Sequence, residues 1–293
     1  MNLSEKNKPT ALLTKLPLWA PVKKLLRKVF RPRSEMTTLD VLQTFPAFRP
    51  YSPGHYLDRV KIATRTINQT VPLLGSLAHS LGARKLTAID IHSFPSSSRD
   101  LEASDKLRTC CERHGSDKAS GHDYHFFYGP VLGNRGEIRG LLEIGLGTNN
   151  INVVSHMGRA GKPGASLRAF KDFLGSARIY GADIDREILF QEDRIETFFV
   201  DQTDPTSFAE LSNLVPSGLD MVIDDGLHSP DENVATLSFG LSKARVGGWV
   251  VIEDIGADAL PIWDLVSAIL PDRFETRLYE AKGAFLFAVR RIS

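Results

Sequence analysis

Cysteine is nearly absent from this sequence. Its 293 residues include two, Cys110 and Cys111, and adjacent residues rarely bridge each other, so a disulfide-stapled scaffold is excluded and a reducing cytosol fits. Neither thiol sits in a motif that would make it a nucleophile. Long apolar runs are missing as well: nothing approaches the roughly 20 consecutive residues that span a bilayer, and Lys15 interrupts the one candidate signal-peptide core. The expectation is a protein that stays on the cytoplasmic side. Net charge is also small, at +1, but it is unevenly spread. Residues 1–34 carry nine Lys or Arg against one Glu, a surplus of +8, which leaves −7 on the rest. A net acidic body argues against nucleic acid as a partner. What remains, 42% hydrophobic and 24% charged residues, is an ordinary globular composition.

The basic surplus has a pattern. From Pro21 to Phe30, Val22, Leu25, Leu26, Val29 and Phe30 recur at helical spacing, and Lys23, Lys24, Arg27, Lys28 and Arg31 take the other side. Two uses of such an amphipathic helix stay open: peripheral membrane contact through residues 21–31, or an arm whose apolar side packs on protein. Residues 35–130 read as an auxiliary, substrate-shaping segment with a helix from about Tyr56 to Leu81. It ends in the loop Gly115-Ser-Asp-Lys118, with His122, Tyr124, His125 and Tyr128 close behind. That loop fits a lid over a ligand and, equally, a helix-terminal turn with an Asp cap.

From residue 131 to the end, strands and helices alternate. Apolar runs at 141–145, 178–184, 195–200, 219–224, 248–252, 274–279 and 284–289 predict seven strands, and helical patterns separate most of them. Alternation of this kind gives an α/β fold with a Rossmann-like, doubly wound, mostly parallel sheet. The last two strands are joined by Glu280-Ala-Lys-Gly283, a turn short enough to permit only a C-terminal antiparallel hairpin.

Candidate chemistry gathers at the strand ends. Leu219-Asp-Met-Val-Ile-Asp-Asp-Gly-Leu-His228 runs from a buried strand into Asp224, Asp225 and His228, and Gly247-Gly-Trp-Val-Val-Ile-Glu-Asp254 ends on Glu253 and Asp254. Asp-Asp-Gly is a common turn, and Glu-Asp after a strand often caps a helix. If the strands are neighbours, however, three carboxylates converge, and like charges at short range resist ionising together. A hard divalent cation such as Mg2+ relieves that repulsion, and oxygen ligands suit it. The iron-type set of two histidines and one carboxylate is not evident. Glu143-Ile-Gly-Leu-Gly147 lets a ligand approach the backbone, but Asn149 and Asn150 stand where the third glycine of a dinucleotide fingerprint belongs. Asp183 ends the second strand, where a carboxylate can hold ribose hydroxyls, and Asp201-Gln202 ends the third, where an adenine could be met.

These motifs together resemble the class I S-adenosylmethionine-dependent methyltransferases. The nearest branch is the metal-dependent macrocin and mycinamicin sugar O-methyltransferases, which are similar in turn to the cephalosporin hydroxylase family. The resemblance covers about residues 110–255 and says little about residues 1–105. It implies S-adenosyl-L-methionine as methyl donor against Glu143, Gly145 and Gly147, with Asp183 on its ribose and Asp201 and Gln202 near its adenine. Lys118 is placed with the donor-binding residues. Mg2+ would be held by Asp225, Glu253 and Asp254, with Asp225 and His228 in catalysis and His228 as general base. A sugar or similar polyol hydroxyl is the implied acceptor, and a homo-oligomer the implied assembly. Leu227 departs from the serine usual between Gly and His, and Gly164-Ala-Ser-Leu167 from a Gly-Gly-Ser-Leu pattern. Two other readings stand beside this one: a metal-independent methyltransferase acting on a small molecule, and a non-catalytic membrane-associated partner that kept the fold.

Overall fold

The computed structural model describes residues 53–133 and 137–293. The basic arm, with its membrane-contact candidate at residues 21–31, lies outside the described residues. Two compact units meet in sequence at Thr70 and Val71. The first contributes the opening of helix α1 (Tyr56–Ser80), where the Thr64, Thr66 and Thr70 hydroxyls each donate to the carbonyl four residues earlier.

The second unit begins within that helix and holds the sheet. It opens with strand β1 (Ala88–Asp90) and helices α2 (Ser98–His114), α3 (Asp117–Ser120) and α4 (His125–Gly133). There follow β2 (Gly140–Ile144), α5 (Ala165–Leu174), β3 (Arg178–Asp183), β4 (Gln191–Glu192), β5 (Ile195–Phe199), α6 (Pro205–Leu214), β6 (Leu219–Asp224) and α7 (Pro230–Lys243). The chain closes with β7 (Ala244–Ile255), α8 (Leu260–Ile269), β8 (Phe274–Glu280) and β9 (Phe285–Arg291).

All the strands form one sheet in the order β1-β8-β9-β7-β6-β2-β3-β5-β4. The run β7-β6-β2-β3-β5 is parallel, and β9 lies antiparallel between β7 and β8. The mostly parallel sheet and its closing hairpin are those expected, but the strands among the described residues number nine, not seven. The additions, β1 and β4, have three and two residues and are exposed, too short to show a period; β1 falls within the short apolar run Leu86-Thr-Ala-Ile-Asp-Ile91, which the sequence did not mark as a strand. After β5 the chain crosses back to lay β6 on the other side of β2, so the strand order reverses between β2 and β6. The crevice beyond the carboxyl ends of those two strands is where open α/β sheets take ligands.

Apolar residues alternate across the sheet, as period-2 strands require. Leu141, Ile179, Met221, Ile223 and Val251 face α2, α4 and α5 through Leu107, Cys111, Phe127 and Phe170. Leu142, Ile144, Val222, Val250 and Ile252 face α6, α7 and α8 through Phe208, Leu211, Leu237 and Trp263. Residues 98–133 thus furnish part of one helical layer. Helix α2 starts at the Ser97 cap, whose side chain accepts from Asp100 N, and stops at Gly115, whose left-handed φ of 78° turns the chain toward α3.

Both cysteines are free and buried on α2. Burial pushes the Cys111 thiol up to about 12 and raises Cys110 as well. Since the thiolate is the reactive form, a thiol reagent such as dithionitrobenzoate should label neither cysteine in the native protein and both in denaturant. Rapid native labelling would contradict this packing.

Candidate active site

The crevice is built first by a close approach. Gly145 follows β2 with φ at 93°, and a Cβ there would overlap the carbonyl oxygen of Asp225. Asp225 N donates to Ile144 O at 2.8 Å, which locks the two strand ends together. Beyond them opens a cleft lined by Gly145, Gly147, Asp183, Asp201, Gln202 and Asp225. Leu227 also lines it, as do Val153, Val154 and Ser155 of the loop after β2. That loop has no periodicity, and the sequence reading gave it no role.

Several expected donor contacts also hold the cleft in shape. Asp183 accepts from Leu146 N at 2.7 Å and from Asp185 N at 2.8 Å, which pins the glycine loop. Burial raises its pKa against those bonds. Asp201 accepts from Thr203 N at 2.9 Å. Gln202 spans the cleft floor: its amide nitrogen donates to Asp224 at 2.9 Å and Thr236 at 2.8 Å, and its carbonyl accepts from Leu227 N at 2.9 Å. Asp224 is fully enclosed, and burial pushes it up to about 6 despite bonds from Asn233 and Gln202. Glu143 and Lys118, both expected at the donor, are not on the cleft wall. Glu143 is 0% and Lys118 2% exposed, and they meet behind it.

The acids at the ends of β6 and β7 do converge, and they divide into an inner and an outer group. Inside, Lys118 Nζ lies 2.9 Å from Glu143 Oε1, 2.7 Å from Asp225 Oδ2 and 2.5 Å from Glu253 Oε2. Burial alone would pull this ammonium down, but Asp225, Glu143 and Glu253 outweigh it and hold Lys118 well above its ordinary value. Burial drives Glu143, Asp225 and Glu253 upward, with Lys118 opposing. The second oxygens are anchored as well: Ser166 OH donates to Glu143 Oε2 at 2.6 Å, and Tyr128 OH to Glu253 Oε1 at 2.5 Å.

Outside, Asp225 Oδ1, Asp254 Oδ2 and His228 Nε2 face one another. His228 Nε2 is 4.0 Å from Asp225 Oδ1 and 3.7 Å from Asp254 Oδ2, and the three residues offer ligand atoms all within 4.8 Å of one another. They are 25%, 23% and 28% exposed at the side chain for Asp225, Asp254 and His228. Successive strand residues point to opposite sides, and here Glu253 turns inward and Asp254 outward. The β7–β9 register shifts at this point, between Ile252 and Ile255, the usual way a sheet re-aims a side chain. Both Asp254 and His228 have left-handed backbones, with φ of 54° and 56°. A non-glycine residue held there stores strain, and such residues cluster at functional sites.

The expected metal set of Asp225, Glu253 and Asp254 is therefore split by the geometry. Asp225 and Asp254 reach the open side with His228, whereas Glu253 spends both oxygens on Lys118 and Tyr128. Two carboxylate oxygens left on the part-exposed side, with the net negative charge of four acids only partly offset by one ammonium, suit a hard cation. The tyrosines were noted in the sequence without a role. Tyr124 OH donates to Asp254 Oδ1 at 2.6 Å and accepts from Asp254 N at 3.1 Å. Tyr124 and Tyr128 are four residues apart, so they share a helical face and grip the successive acids Asp254 and Glu253. The Gly115–Lys118 loop is a helix-terminal turn capped by Ser116, and it delivers Lys118 to the interior.

No protein-family profile matches the chain. It is 31% identical over 174 residues to the 8-demethyl-8-alpha-L-rhamnosyl tetracenomycin-C 2'-O-methyltransferase of Streptomyces olivaceus, across 57% of this chain and 44% of that protein. It is 42% identical over 93 residues to the demethylmacrocin O-methyltransferase of Streptomyces fradiae, across 31% of this chain and 23% of that one. The chain thus spans less than half the length of either curated relative. Among solved structures it is similar to the MycE methyltransferase of the mycinamycin pathway in complex with Mg and SAH, with a TM-score of 0.51, 25% identity, and coverage of 64% of this chain and 54% of that one. A second MycE complex, which also holds mycinamycin VI, gives a TM-score of 0.51 at 22% identity over 83% of this chain and 64% of that one. Motifs, sheet order and relatives agree: this chain has the fold of the class I S-adenosylmethionine-dependent methyltransferases and, among them, resembles the sugar O-methyltransferases of natural-product pathways.

Proposed function

We propose that the protein is a metal-dependent O-methyltransferase that moves a methyl group from S-adenosyl-L-methionine to a hydroxyl of a sugar or similar polyol. The observation that carries the reading is the outer group: two strand-end carboxylates and an imidazole, two of the three on strained backbone, joined through Asp225 to the cleft at the β2–β6 switch point that Asp225 lines. The donor would lie along Gly145 and Gly147, with Asp183 toward its ribose and Asp201 and Gln202 toward its adenine. Glu143 would act from behind the wall.

Asp225 and Asp254 would hold the Mg2+, with Glu253 supporting from the inner side. When bound, the cation supplies positive charge that makes an acceptor hydroxyl more acidic. His228 takes the proton at Nε2. The acceptor oxygen forms a bond to the methyl carbon as the carbon–sulfur bond breaks, leaving a methyl ether and S-adenosylhomocysteine. Cleft and backbone serve to align oxygen, carbon and sulfur.

A methyltransferase that needs no metal is favoured by one observation, the Lys118 ammonium that already offsets part of the carboxylate charge. Chelation separates the two readings. Turnover of labelled donor with a panel of deoxysugar-bearing acceptors should vanish in excess EDTA and return with Mg2+, while calorimetric binding of S-adenosylhomocysteine persists. Full turnover in EDTA would transfer the case to the metal-free enzyme, and absence of donor binding would leave a non-catalytic partner.

We also assign residues 1–34 as a basic arm, residues 35–130 as the acceptor-shaping segment and residues 131–293 as the donor-binding domain of a cytoplasmic homo-oligomer. Lys118, Tyr124 and Tyr128, which grip the site's carboxylates, support the second of these. No helix among the described residues is long and apolar enough to cross a membrane. Membrane contact through residues 21–31 is testable by flotation with anionic vesicles.

A further inference from the structure

The inner group is built like a cation seat. Three carboxylate oxygens, from Glu143, Asp225 and Glu253, converge on one point at 2.9, 2.7 and 2.5 Å, and that point is Lys118 Nζ. An ammonium has three N–H donors and no acceptor; here it donates to Asp225 Oδ2 and Glu253 Oε2, and Glu143 Oε1 adds a third ion pair. Glu143 and Glu253 do not depend on Lys118 for their orientation, since Ser166 and Tyr128 fix their other oxygens. These distances are wider than the about 2.0–2.1 Å of magnesium–oxygen bonds and lie nearer the about 2.3–2.6 Å of calcium–oxygen bonds, which would need the oxygens to close in only slightly. Asp225 joins the two groups, with Oδ2 turned inward to Lys118 and Oδ1 turned outward toward His228.

We propose that Lys118 is a positioning residue whose ammonium fills a second cation seat, so that the site accepts a single exchangeable divalent ion, on the outer side. By holding Oδ2 of Asp225, Lys118 also fixes which oxygen faces the cleft. The proposal rests on the metal reading of the outer group only for the count expected in the unaltered chain; the inner seat is defined by the carboxylates around Lys118 itself.

The test is a divalent-ion titration of the metal-free full chain by calorimetry, comparing the parent with Lys118→Met, which keeps the stem and loses the charge. The parent should bind one Mg2+ per chain. Lys118→Met should bind one divalent ion more than the parent, with Ca2+ preferred over Mg2+ at the added seat, and its melting temperature should rise with Ca2+ by several degrees more than the parent's. Equal stoichiometry in the two chains, with an equal melting response to Ca2+, would overturn the proposal. A parent that binds no divalent ion would count against the metal reading above, and the difference between the two chains would still decide this one. Should Lys118→Met fail to fold in metal-free buffer, recovery of folding by Ca2+ in it or in Lys118→Gln supports the seat, and failure of Ca2+ to recover either variant overturns it.

Discussion

Replacing His228 with Ala should lower turnover by about 10²–10⁴-fold, the range for loss of a general base, with the affinity for S-adenosylhomocysteine unchanged. The separation follows from geometry. His228 Nε2 faces Asp225 and Asp254, whereas the donor surfaces proposed above line the cleft along Gly145, Asp183 and Gln202. His228 Nδ1 is buried without a hydrogen-bond partner, so the ring is held by its backbone and packing rather than by a second polar contact, and its loss leaves no buried donor or acceptor stranded on another residue. The left-handed backbone at 228 adds a second arm to the experiment. His228→Gly relieves that strain and His228→Ala does not, so the glycine variant should be as inactive but the more stable of the two by about 1 kcal/mol. Single-turnover kinetics and calorimetry check the first pair of outcomes, and denaturant melts the last. An unchanged rate in either variant would remove His228 from proton transfer.

The second large effect is expected from the smallest change. Gly145→Ala should abolish detectable binding of S-adenosylhomocysteine and cost about 3 kcal/mol or more of stability, because strain at a positive φ and a backbone overlap add. The added methyl would meet the Asp225 carbonyl, which belongs to the backbone and can move only if β2 and β6 part. Since Asp225 N is bonded to Ile144 O, that movement would open the crevice where donor and acceptor groups must meet. A denaturant melt and a binding isotherm on the same sample measure both effects. Near-native values for both would show that the close approach is not required.

Most of the architecture was legible because its strands are unambiguous. β2 and β6 are buried at every residue, and strands covered on both faces read as short apolar runs. β1 and β4 were harder for the opposite reason, being two or three exposed residues: β1 showed only as the short apolar run at 86–91, and β4 gains its character only by pairing with β5. At the site, Asp225 and His228 could be placed because a strand end followed by Asp-Gly has one mouth to open into. Glu253 and Asp254 could not be told apart in that way. The two were read together as ligands, although strand alternation sends one inward and the other outward, and the register shift that sets which is which depends on β9, more than 30 residues along. Lys118 was hardest to place. It meets Asp225 across 107 residues and Glu253 across 135, and nothing local distinguishes a lysine that will be entombed among acids from one in a surface turn.

Diffraction from crystals grown with S-adenosylhomocysteine and Mn2+, at a wavelength where manganese scatters anomalously, would locate cation and nucleoside in one experiment. One anomalous peak is expected between Asp225 Oδ1 and Asp254 Oδ2, close to His228, with the nucleoside lying along Gly145 and Gly147. A peak elsewhere, no peak at saturating Mn2+, or an Asp225 side chain turned away from Asp254 would contradict the metal reading.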